Sequence, residues 1–167
     1  NFTGRVAERE ALTAWLNADP GHPLLSLRAL GGFGKSALVW HWLTHDVRPE
    51  AWPRLVWWSF YESDASFETF LAGTLDYLSN GAIDLRELGP KEGVRKLLAY
   101  LAEPGTLLVL DGFERALRAF GGMGAAYQGD EENQEAAGRE CISPAAEQFL
   151  YNAALQPRLK SKVLLTT

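Results

Sequence analysis

Ala29-Leu30-Gly31-Gly32-Phe33-Gly34-Lys35-Ser36 lies between an apolar run and an amphipathic one, which is the setting of a loop that binds phosphate. Gly31, Gly32 and Gly34 leave the backbone clear of Cβ atoms. Successive N–H groups, on through Phe33 and the first helical positions to Ala37, can then turn inward on phosphate oxygens at a helix N-terminus. In that arrangement Lys35 reaches the β- and γ-phosphates and the Ser36 hydroxyl is placed on Mg²⁺. The full pattern G-x-x-x-x-G-K-[ST] begins with glycine, where this chain has Ala29. A plain Gly-rich connection between strand and helix is the alternative reading.

A second candidate sits at the end of an uninterrupted apolar run, Leu107-Leu108-Val109-Leu110, which delivers Asp111. Open α/β sheets bind ligands at the carboxyl ends of their strands, and a carboxylate there is costly unless it meets a cation or a hydrogen-bond donor. Mg²⁺ shared between Asp111, Ser36 and the β/γ-phosphates would satisfy it, which makes the two motifs halves of one nucleotide site. Glu114 is a candidate for orienting or deprotonating the attacking water. It reads equally as an acid placed against the dipole of a helix beginning near Gly112, while Asp111 as the N-cap of that helix is the less favoured reading, given its pairing with the Lys35 loop. His41 and His45 have metal-pair spacing but no acidic third ligand nearby in sequence, so a solvated or partly packed pair is expected.

The elements that must position these residues alternate between helix and strand. Residues 5–18 predict a helix with Leu12, Trp15 and Leu16 on one face, and 24–30 a short buried strand leading into the loop. A helix follows from Lys35 to the Arg48-Pro49 stop, and a strand over 55–61 whose Trp57 and Trp58 are expected to pack in the core on both faces. Ser66 is the expected N-cap of a helix carrying Phe67, Phe70, Leu71, Leu75 and Leu78, with Glu68 in its first turn. Pro90 opens another helix, with Val94, Leu97, Leu98 and Leu101 inward. Ser143-Pro144 opens the last one, which carries Phe149, Leu150, Ala153 and Ala154, and 162–167 is the final strand. The glycine-rich acidic stretch 120–143 has no period and is expected to be a surface excursion. The pattern as a whole predicts an α/β domain with a mostly parallel sheet.

At 167 residues and 47% hydrophobic content, the chain suits one domain with an ordinary core. Its net charge of −5 argues against a general nucleic-acid or anionic-membrane surface. Cys141 is the single cysteine, so no intrachain disulfide can form and a reducing, cytoplasmic setting is expected. No apolar run has the length of a membrane span. The chain begins at Asn1, and it is expected to be a segment of a longer protein.

Taken in order, these stretches resemble the STAND class of signal-transducing P-loop NTPases, which includes the NB-ARC and NACHT groups. Phe2-Thr3-Gly4-Arg5, followed by Glu8, is similar to the class's h-h-G-R-E motif near the adenine, although Val6 stands where glutamate is usual. Residues 31–36 are similar to its G-G-x-G-K-[ST] loop. Leu107 through Glu114 resembles its Walker B strand, the small Gly112 being closer to NACHT usage. Val163-Leu164-Leu165-Thr166-Thr167 looks like its sensor-1 strand, the segment ending one residue before the arginine many relatives carry.

The resemblance implies a P-loop NTPase three-layer sandwich, with the final strand inserted between the loop strand and the Asp111 strand so that Thr166 and Thr167 come within reach of the γ-phosphate region. It implies a nucleotide site built from Phe2, Thr3, Arg5, the loop residues and Thr166, with ATP or ADP and Mg²⁺ as cofactors. It further implies an ATP/ADP switch with slow hydrolysis, effector and sensor domains in the same protein, homo-oligomerisation on activation, and no membrane or direct nucleic-acid partner. A P-loop kinase with lid arginines, for which Arg115 and Arg118 come into question, and a nucleotide-binding module without hydrolysis are the competing readings.

Overall fold

In the computed structural model, which describes residues 4–62, 66–116, 143–155 and 159–167, the strand that ends on Asp111 lies inside the sheet. This strand, β3 (Thr106–Asp111), is buried at every position, as its unbroken apolar run requires. Its neighbours are β2 (Arg54–Ser59) and β4 (Lys162–Thr166), and β1 (Leu24–Leu27) lies beyond β4, giving the order β1-β4-β3-β2. All pairings are parallel, with Leu24 opposite Val163, Leu108 opposite Val163 and Ser59 opposite Asp111. The expected α/β class and the insertion of the last strand between the other two are therefore found.

Helices cover both faces of the sheet, and the period-2 alternation of the strands decides which residue meets which helix. Leu107, Val109 and Leu164 pack with Leu12, Trp15 and Leu16 of α1 (Val6–Ala18) and with Leu38, Val39 and Trp42 of α2 (Lys35–His45). Their neighbours Leu108, Leu110, Val163 and Leu165 face the other way, toward α3 (Phe67–Ser79), α5 (Pro90–Leu101) and α6 (Pro144–Leu155). Phe149 is central there, its ring 5.7 Å from Phe67 and 6.3 Å from Phe70. Between α3 and α5 lies a single turn, α4 (Leu85–Leu88), capped by Asp84 and not anticipated from the sequence.

Side-chain hydroxyls cap α3 and α6. Ser66 Oγ accepts from Thr69 N at 3.1 Å, the expected N-cap. Ser143 Oγ accepts from the amides of Ala145 and Ala146 and donates to Glu68 Oε1 at 2.5 Å, so one hydroxyl caps α6 and ties it to the first turn of α3. Lys162 is buried at the opposite end of the sheet from Asp111. Its ammonium donates to the carbonyls of Asp19 and His22 and lies 4.9 Å from the Trp15 ring centroid. Burial holds the Lys162 pKa below the usual lysine value. Arg9 and Asp46 join α1 to the end of α2 by two bonds of 2.6 Å.

Four sequence expectations are corrected. Residues 28–30 leave the sheet, so β1 stops at Leu27, and it is half-buried because it lies at the edge of the sheet that the described residues form. β2 ends at Ser59, not Tyr61; Trp57 and Trp58 pack on opposite faces as expected, but at the other edge of the described sheet they are only half-buried, Trp57 against Trp40 and Trp58 against Phe70. α2 ends at His45, with Asp46 as its C-cap, ahead of the expected stop. The residues after Gly112 form a 3₁₀ turn, Phe113–Ala116, in place of a helix starting there. The His41 and His45 rings stack 3.9 Å apart on α2, and among the described residues no three His, Cys, Asp or Glu side chains converge as metal ligands would. Arg118, Cys141 and, apart from Ser143, the 120–143 excursion lie outside the described residues. No helix among those described is long and apolar enough to cross a membrane.

Candidate functional site

Alternation along β3 and β4 puts Asp111 on the same face as Leu107 and Val109, and Thr166 on the same face as Leu164, the face that α2 covers. The helix begins at the loop, so its second residue comes directly onto the strand ends. Asp111 Oδ1 accepts from Ser36 Oγ at 2.8 Å and from Thr166 Oγ1 at 2.6 Å. Thr166 Oγ1 in turn accepts from Gly112 N at 2.9 Å, which satisfies a hydroxyl with no exposure at all. Asp111 itself is 3% exposed, and both donors to it are neutral. Its side chain is thus committed to the strand ends and does not serve as an N-cap.

The loop above this carboxylate has the conformation that its glycines permit. Gly32 and Gly34 have φ of 79° and 71°, and a Cβ built on either would meet nothing within 4 Å, so backbone geometry and not crowding favours glycine there. Gly34 is the N-cap of α2, and the N–H groups of the helix's first turn have no intrahelical acceptor. Ala29 departs from the glycine pattern without strain, because the only non-glycine residues with positive φ among those described are Arg5 and Asn80. Its N–H donates to Thr167 O at 3.3 Å, and Thr167 N donates to Leu27 O at 3.1 Å, so the start of the loop is stitched to the end of β4. Lys35 is buried, and its ammonium bends back onto the loop to donate to the carbonyls of Ala29 at 2.5 Å and Leu30 at 3.3 Å.

Arg5 joins the site from α1. It precedes the helix in the left-handed region, with φ of 52°, and its guanidinium donates to the carbonyl of Phe33. Phe2 and Thr3 lie outside the described residues. The structure therefore brings together Arg5, the loop from Gly31 to Ala37, Asp111 and Thr166.

Glu114 stands beside this group in the 3₁₀ turn, and it has a partner that the sequence did not suggest. Tyr61, two residues past β2, donates its phenol to Glu114 Oε1 at 2.7 Å. Glu114 Oε2 is buried and has no hydrogen-bond partner among the described residues. Burial, the bond to Glu114 and the nearby charges of Glu114 and Asp111 hold the Tyr61 pKa well above the usual phenol value. The Arg115 guanidinium lies 4.7 Å from the Tyr61 ring centroid, so this arginine stacks on the ring. The only signal for Tyr61 is register: with Ser59 opposite Asp111, the segment after β2 must run alongside the segment after β3.

Asp111 and Ser36 are oxygen donors of the kind a hard cation takes. A carboxylate and a serine hydroxyl 2.8 Å apart, at the start of the helix that follows the glycine loop, could hold a divalent cation together with an anion of phosphate type. Neither the protein-family models nor the curated proteins compared with this chain include a match.

Proposed function

We propose that the chain is the nucleotide-binding core of a STAND-class P-loop NTPase, an ATP/ADP switch with slow Mg²⁺-dependent hydrolysis. The observation that carries the reading is the 2.8 Å contact between Ser36 Oγ and Asp111 Oδ1, which makes one cluster of the two motifs. The sheet order, with β4 between β1 and β3, is the order the resemblance implies. Those two residues would hold Mg²⁺ and the loop amides a triphosphate tail, with Lys35 turning from its loop carbonyls to the β- and γ-phosphates. When bound, the ion would supply charge neutralisation to the phosphate tail. Thr166 keeps Asp111 oriented, and Glu114 accepts a proton from the attacking water.

A ligand shifts a conformational equilibrium only through its differential affinity for the two states, and the γ-phosphate provides that difference between ATP and ADP. Effector and sensor domains of the same protein, and self-association of the ATP form, complete the proposal. The test is mass spectrometry of nucleotide released from the purified protein on denaturation, combined with titration of a fluorescent ATP analogue. Lys35→Ala is expected to weaken binding by about 100-fold or more, and Glu114→Gln to leave affinity within about threefold while abolishing most turnover. A protein that releases no nucleotide, and whose titration does not respond to Lys35→Ala, overturns the reading.

A further inference from the structure

Three residues of the turn after Asp111 meet one aromatic side chain. Glu114 accepts the Tyr61 phenol proton at 2.7 Å and Arg115 stacks on the ring at 4.7 Å. A Cβ on Gly112 would stand 2.5 Å from Tyr61 Cε2. The glycine after Asp111 therefore makes room for Tyr61 as well as for its own φ of 71°. A glutamate has three side-chain torsions to order, and a hydrogen bond to its charged form is among the stronger ones available to fix them. The other oxygen, Oε2, is buried without a partner among the described residues, a costly condition unless something meets it there.

We infer that Tyr61 is a positioning residue for Glu114, occupying Oε1 and so leaving Oε2 as the unpaired oxygen that takes the proton. This rests on the nucleotide reading above. In the step it serves, the water oxygen bonds to the γ-phosphorus and the bond from that phosphorus to the β-bridging oxygen breaks. The electron pair leaves with ADP, and a water proton goes to Glu114 Oε2. Tyr61 takes no part in these transfers and acts by orientation alone. Its phenol holds its proton throughout the neutral range, so the hold on Oε1 is constant.

The experiment is Tyr61→Phe in the full-length protein, which removes the hydroxyl and keeps the ring over Gly112 and beneath Arg115. The expected result is a fall of about tenfold in kcat with KM for ATP within about twofold, since geometry at the reacting centre changes and nucleotide contacts do not. In a Glu114→Gln background the same substitution should cost nothing further, because its effect runs through the carboxylate. Without nucleotide, the ¹³C resonance of the Glu114 carboxyl should move in Tyr61→Phe. An unmoved resonance, an unchanged kcat in a protein that does hydrolyse ATP, or a loss that adds fully to that of Glu114→Gln overturns the inference alone. A wild-type protein that neither binds nor hydrolyses ATP overturns the site reading, and the inference with it.

Discussion

Gly112→Ala should destabilise the protein by about 2–4 kcal/mol, in two parts that can be separated. The first part is backbone. Gly112 has φ of 71°, and the left-handed region costs a residue with a Cβ about 1–2 kcal/mol. The second part is contact. The new Cβ would lie 2.5, 2.7 and 2.9 Å from Cε2, Cζ and Cδ2 of Tyr61, so the ring has to leave. Tyr61 is 45% exposed and can swing into solvent, but it then loses the bond to Glu114 and the stacking with Arg115, together about 1–2 kcal/mol at a half-exposed site. Urea unfolding, with the shift in midpoint converted through an unchanged slope, measures the total. In a Tyr61→Ala background only the backbone part should remain, and the difference is the coupling between the two positions. Gly32→Ala serves as the control, because its φ of 79° is similar and nothing lies within 4 Å of its Cβ position. If Gly112→Ala costs less than about 0.5 kcal/mol, or costs the same with and without Tyr61, the account of this turn is wrong.

Two further outcomes follow from the helix ends. Ser143→Ala removes the cap of α6 and the bond to Glu68, and should cost about 1–2 kcal/mol in the same unfolding assay. A loss under about 0.5 kcal/mol would remove this hydroxyl from the set of residues that hold α3 and α6 together. Hydrogen bonding from Arg9 holds the Asp46 pKa below its usual value, outweighing a smaller upward push from burial. A carboxylate with a depressed folded-state pKa contributes stability in full above its unfolded value, near 3.9, and loses it as pH falls through the folded value. Asp46→Asn should therefore flatten the stability profile below about pH 4, and acid limbs that superimpose would remove the pair from the acid response.

The conformation of the loop was legible in the sequence because it is local. Glycines, a lysine and a serine within eight positions dictate a turn, a helix start and the donors on them, and the apolar run before Asp111 announces a buried strand ending in a charge. The caps at Ser66 and Ser143 were equally plain, since a hydroxyl ahead of an amphipathic stretch acts on its own neighbours. Edge and interior were not. The runs that became β1 and β2 are as apolar as interior strands, and only the order of the sheet shows that nothing among the described residues pairs with their outer sides.

By itself, the sequence determined which face of β3 carries Asp111, because strand alternation ties it to Leu107 and Val109. Only the tertiary structure decided that α2 lies over that face and brings Ser36 to the carboxylate across 75 residues of chain. The pairing of Tyr61 with Glu114, across 53 residues, was decided in the same way by the register of β2 on β3. The physical reason is that alternation and capping act between residues a few bonds apart, whereas register and sheet order are settled by how apolar faces from distant segments bury one another, and no single segment carries that information.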